Sequence, residues 1–393
     1  MTTIEERLPG STLREEASLA GLFRYFAWLG TVGFGGPVVL VERMRRDLQE
    51  ERHWYTGGEY KEGLALAQLA PGPLAAQLAI YLGWVRAGVL GASVVGLAFV
   101  GPSFVMVVAL SAAYLRFGGL AWMQGAFYGI GAAVIALIGY SAVRLARRTV
   151  GSDGMLWAIV VINATATVVT EREIVWVILA SGLFVLGWRE LARQRTTIAT
   201  ALVLPTWLLT GLHGPATTHT LISITSYFAK AGAVVFGSGL AIVPFLHGGV
   251  VQQMHWLNER QFLDAVAVSM ITPGPVVITV AFIGYLVAGP LGACAAAIGV
   301  FLPVYIVVVF VARWFNRIAK NTSLRAAIDG VTAGATGAIA GSVVVLGRRA
   351  LTDVVTFAIF VVALALVVLV KKLPEPAVIL GAGIVGILLH GVA

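Results

Sequence analysis

Residues 69–77, LAPGPLAAQ, and residues 271–279, ITPGPVVIT, decide how this chain folds. Each sets Pro-Gly-Pro inside an otherwise apolar stretch. A proline within a helix removes an amide donor and clashes with the carbonyl one turn back, at a cost of about 3 kcal/mol or more. Two prolines around a glycine therefore end the helix. The surroundings make this costly: 59% of the 393 residues are hydrophobic and 12% charged, and the mean hydropathy is +0.90. Apolar runs of roughly 17–25 residues, enough to cross about 30 Å of hydrocarbon as a helix, recur from about residue 19 onward. Interrupted backbone at membrane depth is tolerated only where protein or a water-filled cavity satisfies its polar groups.

The tripeptides are 202 residues apart. The same offset aligns Tyr25-Phe26-Ala27 with Tyr227-Phe228-Ala229, Phe34-Gly35 with Phe236-Gly237, and Trp54 with Trp256. After one deletion, an offset of 201 matches Leu90-Gly91-Ala92 with Leu291-Gly292-Ala293, Pro102 with Pro303, Gly129 with Gly330, and Arg147-Arg148 with Arg348-Arg349. An ordered series of this kind marks a duplicated unit.

Each unit reads as a Gly-rich broken element (22–41 and 225–245), a polar loop, the Pro-Gly-Pro element (62–85 and 263–287) and four plainer segments. These lie at 87–115, 120–146, 154–170 and 173–190 in the first unit, and at 290–312, 326–347, 352–370 and 376–392 in the second. A further segment at 198–213 has no counterpart, and one unpaired crossing inverts the second unit relative to the first. The organisation is a cytosolic arm over 1–18 without the order of a cleaved signal, a repeat over 19–195, a connecting segment over 196–219 and a repeat over 220–393.

Charge supports inversion. The loop 42–62 holds five Lys/Arg and its counterpart 244–264 holds Arg260 alone. With a cytoplasmic N-terminus and re-entrant interrupted elements, 21 Lys/Arg fall inside and 5 outside, with Lys230 within the membrane, as the positive-inside tendency asks. The net charge of +8 is thereby assigned to loops and not to nucleic acid. Cys294 is the single cysteine, which excludes an internal disulfide and a cysteine metal cluster. The fold class is an all-α polytopic membrane protein of two homologous, inverted repeats with broken or re-entrant helices at the GFGGP and PGP motifs.

Proline suits the first turn of a helix, so a helix restarts after Pro73 and after Pro275. Its free amides carry roughly +0.5 elementary charge and form an anion site without a charged side chain. Four such ends, two per unit, meet around an oxyanion. The candidate substrate-binding residues are Gly35, Gly36, Pro37, Gln68, Pro71, Gly72, Pro73 and Gln77 in the first unit, and Lys230, Gly237, Ser238, Thr272, Pro273, Gly274, Pro275 and Thr279 in the second. Lys230 enters because intramembrane charge is costly, with snorkelling to the surface as its alternative. Glu62 and Asp264, equivalent across the repeat, and Asp329 are the candidate coupling acids; helix capping is the competing role for each. No cofactor or metal is expected.

The stretches VGFGGPVVLVERMRRDLQEERHW (32–54), LALAQLAPGPLAAQLAIYLGW (64–84) and AGVLGASVVGLAFVGPSFVMVV (87–108) resemble the chromate ion transporter family in its long form with two homologous domains. The resemblance is close over the core of the first half and looser over the second. It implies a multi-pass inner-membrane protein that exports chromate, with sulfate as a second substrate, and lipid and the oxyanion as its partners. The family positions it carries over are Phe34, Gly35, Gly36, Pro37, Trp54, Gln68, Pro71, Gly72, Pro73, Gln77, Gly91, Pro102 and Ser103. Gly33 and Ala75-Ala76 depart from the small hydroxylated residues frequent in the family.

Alternating access around one central site, driven by membrane potential, ion coupling or both, is the expected mechanism. A transporter or channel for another anion is the alternative, and a homodimer is compatible with the sequence. An intramembrane enzyme needs a nucleophile with its base or a metal constellation. Here the six histidines fall in loops or at segment ends, and neither HExxH nor GxSxG occurs.

Overall fold

The computed structural model describes residues 17–34, 36–117, 120–170, 175–190, 217–234, 236–237, 242–312, 322–370 and 373–390. The N-terminal arm up to residue 16, the segment at 198–213, Gly35 and Ser238 lie outside them.

The first unit begins with α1 (Leu19–Val32), which ends at the glycine-rich stretch after Val32. The chain restarts as α2 (Gly36–Met44) and runs on through a π-helical stretch, Arg45–Glu51. α2 turns back along α1: the Tyr25 hydroxyl donates to Asp47 Oδ2 at 3.2 Å, and Gly21 sits against the Trp54 ring. A capping box at Thr56 and Glu59 then opens α3 (Gly57–Leu69), satisfying two amide donors that a helix start leaves over. After Pro71-Gly72-Pro73 comes α4 (Leu74–Phe117). α3 and the start of α4 also lie side by side, since a methyl on Gly63 would overlap the Tyr81 ring. Residues 63 and 81 of one straight helix would be roughly 27 Å apart. The Pro-Gly-Pro element is a helical hairpin.

α4 itself reverses at Ala87-Gly88, whose backbone is not helical. Gly83 then touches the Gly91 carbonyl, an approach open only to residues without a side chain. α5 (Ala121–Val150), α6 (Gly154–Thr170) and α7 (Val175–Glu190) complete the unit.

The second unit repeats these elements. α8 (Thr218–Val234) and α9 (Ile242–His247, continued by a π-helical stretch, Gly248–Gln253) form the first hairpin, with the Tyr227 hydroxyl donating to Phe245 O at 2.8 Å. α10 (Glu259–Ile271) opens on a capping box at Asn258 and Gln261. A short 3-10 turn, Val276–Ile278, leads into α11 (Thr279–Val311), which reverses at Ala288-Gly289. α12 (Thr322–Ala350), α13 (Val354–Leu369) and α14 (Glu375–His390) follow. Even the left-handed residues are duplicated: His53 and His255 have φ of 52° and 50°.

The units exchange helices. α7 packs on α12 as α14 packs on α5, α6 packs on α12 as α13 packs on α5, and α4 crosses α11 between them. Reciprocity of this kind is what a two-fold relation between the units produces. Helices long and apolar enough to cross a membrane cover Leu74–Phe117, Ala121–Arg147, Val276–Phe310 and Ala326–Ala350, with shorter apolar helices at Gly154–Thr170, Val354–Leu369 and Glu375–Leu389. Side chains left uncovered on these helices, such as Leu97, Val169 and Leu369, are apolar, as lipid-facing positions must be. The chain is a multi-pass membrane protein.

Candidate functional site

The tips of the helical hairpins meet between the two units. Gly72 and Pro73 of the first Pro-Gly-Pro bend pair in parallel with Phe236 and Gly237, the Gly-rich break of the second unit. The second bend answers in kind, with the Gly274 amide donating to Gly33 O at 3.0 Å. Each bend thus satisfies part of its broken backbone on the other unit's break, which is the condition for irregular chain at membrane depth.

Both bends are held open by glycine. Gly72 has φ 130° and Gly274 φ 100°, a region that L side chains rarely enter. Their surroundings are reciprocal as well. Gly72 lies against Val304 of α11, and Gly274 against Ser103 of α4; each of these follows the proline inside its helix, Pro303 or Pro102. Ser103 is buried and donates to Gly30 O at 3.1 Å. The arms that leave the tips begin at Gly36, Leu74, Ile242 and Val276, so helix N-termini from both units start at the junction. Amides at a helix start have no partner within the helix and favour negative charge.

The side chains proposed from sequence divide into three groups. Gln77 is fully buried, and its Nε2 donates to Pro71 O at 2.6 Å, closing the first bend. Thr272 and Thr279 are buried but donate to carbonyls of their own helical turns, Val268 O at 2.6 Å and Val276 O at 2.7 Å; Ser269 does the same to Val266 O. Gln68 is exposed on α3, and Lys230 is exposed on α8, about one turn before its end at Val234. Gly36 and Pro37 open α2, and Pro71, Pro73, Pro273 and Pro275 frame the two bends.

The acids differ too. Asp264 is 3% exposed and accepts a hydrogen bond of 2.6 Å from the Tyr114 hydroxyl of α4, joining the two units. Glu62 is half-buried and interacts with Tyr81 within the first unit. Asp329 is half-buried on α12. Tyr114 was not singled out in the sequence, since it belongs to no motif and has no tyrosine at its repeat equivalent, Phe315. The paired His53 and His255 carried a legible signal: each stands beside one of the aligned tryptophans, Trp54 and Trp256.

Farther from the tips, the basic loop of the first unit is organised round Asp47. Arg46 reaches it at 3.2 Å and Arg43 at 3.9 Å, and Arg43 lies over the Trp28 ring. In the second unit Gly249 replaces Asp47, and the corresponding face carries His247, bonded to Glu259 at 2.7 Å, with Arg349 on the same carboxylate. An apolar groove of about 480 Å³ runs between α4 and α11, lined by Leu97, Phe104, Ile298 and Phe301 among others. Its walls are mostly apolar, with Ser93 and Tyr305 as the hydroxyl-bearing exceptions. Among the described residues, no three His, Cys, Asp or Glu side chains gather as metal ligands.

The family model described as "Chromate transporter" matches residues 20–186 and 222–387, one match per unit. The chain is 52% identical over 388 residues to the chromate transport protein of Cupriavidus metallidurans, covering 97% of this chain and 94% of that protein. It is 55% identical over 379 residues to a probable chromate transport protein of Synechococcus elongatus, covering 94% and 95%. A chromate transport protein of Pseudomonas aeruginosa is 34% identical, covering 93% and 91%. No solved structure matches the chain.

Proposed function

This chain belongs to the chromate transporter family, and we propose that it exports chromate from the cytoplasm across the inner membrane by alternating access. The observation that carries the reading is the reciprocal junction of the two bends, where helix N-termini of both units begin around broken backbone. The substrate follows from the names of the relatives and from the chemistry of the junction. Free amides and helix dipoles favour an oxyanion without requiring a buried cation, and sulfate, of the same shape, is the anion against which selectivity is measured.

Export has a ready driving force. Each negative charge leaving an inside-negative cell gains about 2.3 kcal/mol per 100 mV, hence roughly 4.6 kcal/mol for a dianion. The basic loop of 42–62 and its neutral counterpart support opposed orientations of the units, with the N-terminus in the cytoplasm. Rocking of one unit against the other about the α4–α11 crossing then exposes the junction to either side. Asp264 is the coupling acid that the geometry favours, because its bond to Tyr114 joins the units and a buried carboxyl is costly to hold charged, a cost that Arg260, one turn earlier on α10, offsets in part.

The test is chromate uptake into inverted membrane vesicles at imposed potentials, with sulfate as competitor. Saturable uptake that grows with an inside-positive vesicle potential supports the reading. Uptake equal to that of vesicles lacking the protein discards it.

A further inference from the structure

Gln77 carries more information than its place in a motif. It stands in the first turn of α4, fully buried, with its carboxamide against Gly72; a methyl on Gly72 would lie 2.9 Å from Nε2. The bond from Nε2 to Pro71 O fixes the orientation of the amide, because the reverse placement would set two acceptors face to face. Oε1 is therefore the atom left over, and it is buried with no hydrogen-bond partner among the described residues.

Among the described residues, the ionisable groups of the elements around it are engaged elsewhere or exposed: Arg24 of α1 is exposed and Tyr25 donates to Asp47. Glu62 of α3 engages Tyr81 of α4, Tyr114 at the far end of α4 is bonded to Asp264, Lys230 of α8 is exposed, Tyr227 of α8 donates to Phe245 O, and Tyr305 of α11 bonds Ser93 and Val89 O. Nor does the fold require the open acceptor. The repeat equivalent of Gln77 is Thr279, whose hydroxyl is spent on Val276 O, and the second bend forms without it.

An orphaned acceptor beside helix N-termini sets two demands on a ligand: negative charge for the amides and a proton for Oε1. A fully ionised tetrahedral oxyanion offers only lone pairs and would meet Oε1 with repulsion. A singly protonated one gives its O–H to Oε1 and keeps its remaining oxygens for the amides. Chromate and hydrogen chromate interconvert near neutral pH, whereas sulfate stays ionised throughout that range.

We infer that Gln77 selects the singly protonated oxyanion, hydrogen chromate, at the first bend and rejects sulfate for want of a proton. The inference rests on the chromate-export reading above. A site built to accept from a ligand hydroxyl discriminates strongly against the analogue without one, because its own buried group is then left unpaired.

The wild-type protein in inverted vesicles supplies the first test. The KM for total chromate should rise with pH in proportion to the loss of hydrogen chromate, and each chromate moved should carry a single negative charge, read from the potential that nulls the flux. Gln77→Met keeps the length of the side chain and removes the acceptor; it should narrow the preference for chromate over sulfate by roughly tenfold or more and flatten the pH profile. Gln77→Met also removes the donor to Pro71 O, so its Tm in detergent, read beside the flux, separates recognition from loss of folding. A KM that follows the dianion, a charge of two per chromate, or unchanged discrimination in a well-folded Gln77→Met protein would overturn the inference while leaving chromate export standing. Absence of any flux in the wild type would instead remove the export reading, and this inference with it.

Discussion

The two Pro-Gly-Pro bends share a backbone and differ in side chains. Both hold a glycine at positive φ, both lean on the residue after a proline in the opposite unit's long helix, and both bond to the opposite unit's Gly-rich break. Around the first bend stand Gln77 and Val304; around the second stand Thr279 and Ser103. What the duplication preserves is the means of ending a helix inside the membrane and satisfying the loose ends. What it lets vary is the set of side chains around the bend, so on the proposal above specificity belongs to the positions where the halves disagree.

The comparison breaks most directly at the glycines. Gly72→Ala and Gly274→Ala should each abolish chromate export, since a left-handed backbone under a side chain costs roughly 1–3 kcal/mol before any overlap is counted. Gly274→Ala should lower the Tm in detergent further, because its methyl would overlap Ser103 Oγ, whereas that of Gly72→Ala meets Val304 Cγ2 at 2.8 Å. Equal stability of both variants and wild type would mean that the bends are not held as described.

A second pair should behave alike. Methyl groups on Gly30 and Gly232 would overlap the carbonyls of Phe99 and Val300 respectively, which are equivalent contacts in the two units. Each alanine variant should lose about 1–3 kcal/mol, the usual cost of overpacking, with matching shifts in Tm. A clear difference between them would show that one unit yields where the other does not.

The acids should differ again. Asp264→Asn and Tyr114→Phe both disturb a hydrogen bond between the units, and a bond to a charged group contributes about 1.5–3 kcal/mol. Both variants should alter the pH dependence of vesicle uptake, and Glu62→Gln should do so less. Identical profiles for Asp264→Asn and the wild type would remove Asp264 from coupling.

The smallest effect is expected at the caps. Asp153 and Asp353 accept amide bonds at the starts of α6 and α13, but only the latter also receives the Tyr128 hydroxyl, at 2.6 Å. That bond, with the cap amides, holds the Asp353 carboxyl below its ordinary range. A depressed carboxyl contributes stability above its unfolded pKa and loses it as the pH falls through the folded value. Asp353→Ala should therefore lower the Tm slightly at neutral pH and not at strongly acid pH. Asp153→Ala should lower the Tm slightly through loss of the cap bonds to Met155 and Leu156.

Much of this architecture was legible because its signals are local. The segments read at 154–170 and 352–370 coincide closely with Gly154–Thr170 and Val354–Leu369, since uninterrupted apolar runs admit little else. The breaks at Pro71-Gly72-Pro73 and Pro273-Gly274-Pro275 followed from the chemistry of proline. Less was legible at the site. The hydroxyls of Thr272 and Thr279 turn back to their own helices, because residue type does not reveal which partner a side chain finds once the helices pack. Tyr114 reaches Asp264 across 150 residues of chain, and no spacing rule announces such a contact.

Composition and order alone determined that this chain lives in a bilayer, that it is doubled, and where its helices must stop, for these depend on solvation and on backbone sterics within a few residues. Tertiary structure alone decided that each bend completes itself on the other half, that α5 and α12 carry helices of the opposite unit, and that the Gln77 carboxamide oxygen is buried with no partner among the described residues. The physical reason is distance along the chain. Proline and glycine act on their neighbours, whereas satisfying a broken backbone inside lipid requires donors and acceptors that only the packed protein brings to the same place.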